Sequence, residues 1–178
     1  MSWKSVKEGY DIGHIVHVRE GCICIGSPYV PVIIRITPEG VPQWVGEGGR
    51  RNEDLARYMR EMEADPARLR VLMAAPDSFS ASLPVYTYRG GEILEKQCEA
   101  YGWPNITHDG CLMYENEFFE HKADAVRQAK ANAQAGCDLV TRRIAECERD
   151  LAKWLKELAQ EESDLAKLNR DYPEGGAA

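Results

Sequence analysis

The segment from residue 120 to 171 constrains the fold of this chain more than any other feature of its sequence. It contains one glycine, Gly136, and no proline, whereas residues 1–119 hold most of both residue types. Apolar residues in this segment recur at alternating spacings of four and three residues. Glu161 occupies one position of this series, where the pattern calls for an apolar residue. This heptad pattern is typical of a coiled-coil helix. The series, called the seam below, consists of Val140, Ile144, Cys147, Leu151, Trp154, Leu158, Leu165 and Leu168.

The seam predicts an oligomer. A helix over 138–171 would be ~51 Å long, whereas a compact domain made from residues 1–119 would be about 35 Å across. Such a helix must extend beyond the domain, fold back at a break, or pair with another chain. Because an uncovered apolar seam is an unfavourable surface, we expect a homo-oligomer, a dimer or larger. Gly136 leaves open a kink or a turn that makes a helical hairpin.

Residues 1–119 read as alternating strands and short helices. Asn52 and Asp65-Pro66 match the start signals of two helices, one over 53–64 and one that ends at Pro76. Arg89-Gly90-Gly91 predicts a hairpin turn. The β-branched or alternating runs that predict strands are 12–18, 22–26, 30–36, 41–45, 84–88, 92–98 and 111–115.

The predicted fold class is therefore α+β. We expect a mainly antiparallel sheet of six or seven strands with two short helices, followed by a long C-terminal helix or helical hairpin. The expected organisation is an α+β head domain at 1–119, a helical oligomerisation tail at 120–171 and a flexible C-terminus at 172–178.

Charge and composition exclude several classes of function. The formal net charge of −7 argues against polynucleotide binding, which needs basic surface for phosphates. No apolar run is long enough for a membrane span, and the N-terminus lacks the apolar stretch of a signal peptide. We therefore expect a cytoplasmic protein that does not bind membranes.

The cysteines and histidines predict no metal site and no cofactor. The six cysteines contain no CxxC pair and read as small core residues of a cytosolic protein. A metal site at His14, His17, Cys22 and Cys24 is disfavoured because the two histidines would point to opposite faces of one strand. Cys111 with His108 or His121 has the residue types of a nucleophile pair and nothing more. We expect no catalytic residues and no enzyme.

Residues 101–119 carry the densest chemistry of the chain. Aromatic rings can stack on a base, and an asparagine amide can bond a base edge. Two arginines of the tail could supply a fork for phosphate if the tail folds beside this segment. The alternative is that the aromatics pack a core and the polar residues make turns. The ligand-binding candidates are Tyr101, Trp103, Asn105, Thr107, Tyr114, Asn116, Arg142 and Arg143.

The stretch that begins Trp103-Pro104-Asn105 and runs through Asp109-Gly110 to Phe118-Phe119, followed by a long charged helix, resembles small accessory proteins of bacteriophages and prophages. The resemblance covers 101–171. It implies a viral, non-structural product that acts in the bacterial cytoplasm and counters a bacterial defence. Proteins of that type are often small, acidic, oligomeric and non-enzymatic, so no catalytic residue is carried over.

Two functions follow as hypotheses. The first is an oligomer that binds and sequesters a small nucleotide signal. The second is an inhibitor of the anti-CRISPR kind, which occludes a host defence complex by protein–protein contact. A structural assembly module is a third possibility.

Overall fold

The structure, a computed structural model, describes residues 1–172 and divides into two units, Met1–Ala129 and the residues from Lys130 onward. The last six residues of the predicted flexible C-terminus lie outside the described residues. No helix in the described part of the chain combines the length and the apolar character that crossing a bilayer requires. The elements are α1 (Trp3–Gly9), β1 (Ile15–Arg19), β2 (Cys22–Gly26), β3 (Ile34–Ile36), β4 (Pro42–Trp44), a 3-10 turn (Gly48–Arg51), α2 (Glu53–Ala64), α3 (Pro66–Ala74), β5 (Leu83–Arg89), β6 (Glu92–Cys98), β7 (Asn105–Ile106), β8 (Leu112–Met113) and α4 (Lys122–Asp171).

The predicted antiparallel pairing is confirmed for the first four strands, since β1, β2, β3 and β4 pair antiparallel in chain order. A two-residue loop joins β1 to β2, and Glu20 and Gly21 in it have φ values of 52° and 72°. Two positive φ values are what the twist-matched hairpin turn requires. Pro42 begins β4 at the edge of the sheet, where its missing N–H removes no ladder bond.

The two predicted helices are confirmed, and their caps form as expected. Asn52 accepts a hydrogen bond from the Leu55 amide at 3.0 Å, and Asp65 accepts one from the Arg68 amide at 2.9 Å. Pro66 occupies the first turn of α3, where its missing N–H is not needed.

The helix α1 was not predicted. Its seven residues are mixed in polarity, and Trp3 and Val6 are its buried members. These two side chains join the larger core cluster, which β1–β3, α2 and α3 also supply. Contacts with distant residues therefore stabilise α1, and a short local window does not reveal them.

The prediction of one sheet with six or seven strands is wrong. The strands form a four-stranded sheet and two separate two-stranded sheets, β5–β6 and β7–β8. The β5–β6 hairpin itself is confirmed, and isolated bridges connect it to Thr107 and Phe119. A second core cluster holds these pieces together and comprises Val85, Cys98, Met113 and Phe118, with Leu83, Trp103 and Cys111 against it.

The long helix α4 is confirmed, and it is longer than expected. Its 50 residues correspond to ~75 Å. The helix continues through Gly136, so the helical hairpin allowed by the sequence is wrong. Ala125, in the first unit, is its buried residue between Lys122 and Asp171. The α+β class is thus confirmed, and the site described next lies in the first unit.

Candidate ligand-binding site

A shallow, open cavity of about 500 Å³ lies where the loop after β2 meets the segments before β7 and after β8. A volume of this size is in the range of small-molecule sites. Two prolines and three aromatic rings supply most of the apolar lining. The lining residues are Pro28, Tyr29, Trp103, Pro104, Tyr114, Glu115 and Asn116.

Hydrogen bonds fix the two walls of this cavity. In the loop after β2, the Ser27 amide donates to the Val30 carbonyl at 2.9 Å, and the Val30 amide donates to the Ser27 hydroxyl at 3.0 Å. The Tyr114 hydroxyl donates to the Pro28 carbonyl at 3.3 Å and so joins the two walls. The turn after Tyr114 returns the chain to Phe118, which is buried in the second core cluster.

The aromatic residues present open ring surface. Tyr29 is 94% exposed, whereas Trp103 and Tyr114 are half-buried. Trp103 packs against the second core cluster, which holds its ring in place at the cavity. Aromatic faces of this kind bind a flat ring by stacking, and the strength of stacking depends little on which substituents the ring carries.

The charge of the lining is acidic. Glu115 is the charged residue among those that line the cavity, and Asn116 adds an amide with both donor and acceptor groups. No lysine, arginine or histidine lines it in the part of the chain that the structure describes. The cavity therefore suits a neutral or positively charged ring better than a phosphate.

The structure brings together three of the predicted ligand-binding residues, Trp103, Tyr114 and Asn116. Tyr101 does not line the cavity, and its hydroxyl donates to the Pro84 carbonyl at 3.3 Å. Asn105 is also outside, because its amide donates to the Ala100 carbonyl and accepts from the Ile106 amide. The hydrogen bonds of both residues are made within the first unit, outside the cavity.

Thr107 is fully buried. Its hydroxyl donates to Asp109 and accepts from the Cys111 amide. Burial would raise the pKa of Asp109, but hydrogen bonds from Lys96 and Thr107 outweigh that effect and lower it. The three side chains and the loop backbone form a polar network that shapes the turn between β7 and β8.

Arg142 and Arg143 are not among the residues that line the cavity. Both are exposed on α4 in the second unit. The phosphate fork that the sequence suggests therefore stays a prediction. Arg143 instead borders a shallow surface on the helix together with Val140, Ile144, Cys147 and Leu151.

Sequence reasoning missed four of the seven lining residues as ligand-binding candidates, namely Pro28, Tyr29, Pro104 and Glu115. A weak signal was present for Tyr29, since it directly follows Gly26-Ser27-Pro28, residues that are typical of a turn. Its pairing with residues 103 and 114 depends on long-range packing and is not visible in the sequence.

The candidate nucleophiles and metal ligands have other partners. His108 stacks on Phe79 with ring centroids 3.8 Å apart, and its Nε2 lies 3.1 Å from the Ala81 carbonyl oxygen. Burial raises the pKa of the Cys111 thiol, which keeps it protonated at neutral pH. His17 is buried with Nε2 2.9 Å from the Pro31 carbonyl oxygen. Within residues 1–172, no group of three or more His, Cys, Asp or Glu is arranged to hold a metal.

A second candidate surface is the seam on α4. Its residues other than Cys147 are each between 54% and 62% exposed, and Cys147 is exposed as well. The seam therefore forms a long apolar stripe without a covering element among the described residues. Stripes of this kind mark sites of protein association.

No family model, curated protein or solved structure matches this chain.

Proposed function

We propose that this protein is a non-enzymatic binder that takes up a flat, nitrogen-containing ring, such as the base of a small nucleotide, in the aromatic cavity. The observation that carries the proposal is the grouping of Tyr29, Trp103 and Tyr114 around a cavity of about 500 Å³. Stacked rings supply the affinity, and the Asn116 amide supplies directional hydrogen bonds to a base edge.

The acidic lining limits which part of a nucleotide the cavity holds. Glu115 would repel a phosphate placed inside, and no cation compensates for it among the described lining residues. The ring enters, and any phosphate group remains in solvent at the open side. Sequestration of a small nucleotide by a phage protein in a bacterial host stays a prediction, and ring binding is the part that the geometry supports.

Calorimetry with the full chain tests this proposal. The panel contains adenosine and guanosine, their monophosphates, cyclic dinucleotides and ADP-ribose. We expect at least one base to bind, and its nucleoside to bind no more weakly than its monophosphate. Absence of binding across the panel contradicts the proposal.

Tyr29→Ala is the most selective variant, because the side chain is 94% exposed and its loss does not disturb a core. We expect the affinity to fall roughly 10-fold when one stacking surface is removed. The matched control is Tyr172→Ala, which removes an exposed tyrosine of the second unit. Equal affinities for wild type and Tyr29→Ala would place the ligand elsewhere.

A second candidate function is inhibition through protein–protein contact, and the exposed seam favours it. Eight exposed apolar or cysteine residues form one stripe on α4, and a stripe of this kind can pack against a helix of a partner protein. This function does not require the cavity, so one protein can carry both.

A further inference from the structure

The charged residues beside the seam determine which kind of partner the seam can bind. In a heptad, the seam positions are flanked by two rows that lie at the edge of the helix–helix interface. We call these rows the flanks. One consists of Thr141, Glu148, Leu155, Glu162 and Asn169, and the other of Arg143, Asp150, Glu157, Asp164 and Asp171.

The flanks are strongly acidic. They carry six carboxylates and one cation, Arg143, and every flank side chain is exposed. The other cations between 141 and 171 are at outer positions of the heptad, away from the seam. These are Arg142, Arg149, Lys153, Lys156, Lys167 and Arg170.

Interactions within α4 neutralise only part of this charge. Lys153 Nζ lies 3.8 Å from Glu157, and Arg170 Nε lies 3.2 Å from Asp171. Exposed pairs of this type are weak. The other four flank carboxylates have no ion-pair partner among residues 1–172.

Parallel pairing with a second copy gives a cation to one of the six flank carboxylates, Glu148, and places Glu157 against Glu162. In a parallel pair, each second-flank residue meets the first-flank residue five positions further along the other helix. Arg143 then meets Glu148, which is favourable, but Glu157 meets Glu162 and Glu161 meets its own copy. An antiparallel pair is also electrostatically unfavourable, because the flanks of each helix carry one cation and six carboxylates.

We propose that the seam binds an amphipathic helix of a different protein, whose apolar face is bordered on both sides by lysine or arginine. Such a helix buries the exposed Leu/Trp stripe and places cations against the six flank carboxylates. The same charges disfavour anionic lipid and nucleic acid. This inference names the partner of the second candidate function and rests on it, and it is independent of the cavity.

Two synthetic helical peptides test the proposal directly with the full chain. They share isoleucine and leucine at the seam positions, and their flanks are all lysine and arginine in one and all glutamate in the other. We expect the basic-flanked peptide to bind at least about 10-fold tighter at low salt, with the difference shrinking as salt screens the charges.

The variant Leu151→Ser/Leu158→Ser shows whether a bound peptide lies on the seam. It thereby separates failure of the charge argument from failure of the seam as a docking surface. Loss of binding in it shows that the peptide occupies the seam. If the peptides bind the seam equally well, the proposal about charge is overturned while the seam remains a docking surface. If neither peptide binds wild type, both the proposal and the second candidate function are overturned.

Sedimentation tests the argument against self-pairing. We expect wild type to be predominantly monomeric at micromolar concentration and low salt. Glu162→Lys/Asn169→Lys converts two flank contacts of a parallel pair into Glu157–Lys and Asp164–Lys pairs, so this variant should dimerise. Glu146→Lys/Ser163→Lys makes the same change of net charge at outer positions and should stay monomeric. A tight wild-type dimer at low salt would overturn the proposal.

Discussion

Glu99 connects the N-terminal helix to the loop before β5 through a single carboxylate. It accepts hydrogen bonds from Lys4 Nζ at 2.6 Å, the Ser80 amide at 2.6 Å and the Ser80 hydroxyl at 2.9 Å. Burial would raise its pKa, but these bonds outweigh that effect and lower it from 4.5 to about 2. The carboxylate therefore stabilises the fold above the unfolded-state pKa, and the contribution is lost as the pH falls towards 2.

Glu99→Gln should lower the free energy of unfolding at pH 7 by about 2 kcal/mol, because charged hydrogen bonds are replaced by neutral ones. The difference from wild type should shrink as the pH is lowered from 4.5 to about 2. Urea denaturation at several pH values measures both effects. Glu8→Gln is the control, since Glu8 is an exposed partner of the same lysine at 3.7 Å. A difference that stays constant across this pH range would contradict the assignment.

Position 110 requires glycine for two reasons: its backbone has a positive φ, and there is no space for a Cβ atom. Its φ is 83°, and a Cβ there would lie 2.4 Å from Val18 Cγ2. Gly110→Ala should therefore destabilise the protein by roughly 2–4 kcal/mol, measured by thermal or urea unfolding. Gly21→Ala is the matched control, because Gly21 has a φ of 72° with no atom within 4 Å of the added group. Equal losses in the two variants would remove the role of Val18.

At the scale of elements, Gly136 is a glycine inside α4 that makes no packing contact with other described residues, so we expect its only effect to be a less stable helix. Nothing lies within 4 Å of a Cβ added to Gly136. Gly136→Ala should stabilise the helix by about 1 kcal/mol and slow amide hydrogen exchange in the residues around it. Ala159→Gly, at another exposed position, should have the opposite effect. Faster exchange in Gly136→Ala would indicate that the glycine serves a contact or a bend.

How well each element could be predicted depends on how local its causes are. The caps of α2 and α3 were predictable because Asn52 and Asp65 bond amides three residues away. The division into three sheets was not, since it depends on which distant strands pair. The same holds for the site. Trp103, Tyr114 and Asn116 stood out in one segment, whereas Tyr29 reaches the cavity from another part of the chain.

At the scale of the molecule, the six cysteines report on the two units separately. Cys137 and Cys147 are exposed in the second unit, and Cys24 and Cys98 are fully buried in the first. Burial raises the pKa of the Cys24 and Cys98 thiols, which slows their reaction further.

A thiol reagent at neutral pH should therefore modify Cys137 and Cys147 rapidly, and Cys24 and Cys98 only when the first unit unfolds. Mass spectrometry of labelled peptides follows each site. Cys147→Ser should remove one rapid site and leave the slow ones unchanged. Protection of Cys147 in the free protein would show that the seam is already covered, which would favour a homo-oligomer.

The near absence of buried side chains in α4 also affects how this sequence can change over generations. Ala125 is its buried residue, so substitutions between Lys130 and Asp171 leave the core clusters of the first unit intact. A substitution in that stretch can therefore change the exposed surface of α4 while the residues that line the cavity stay the same.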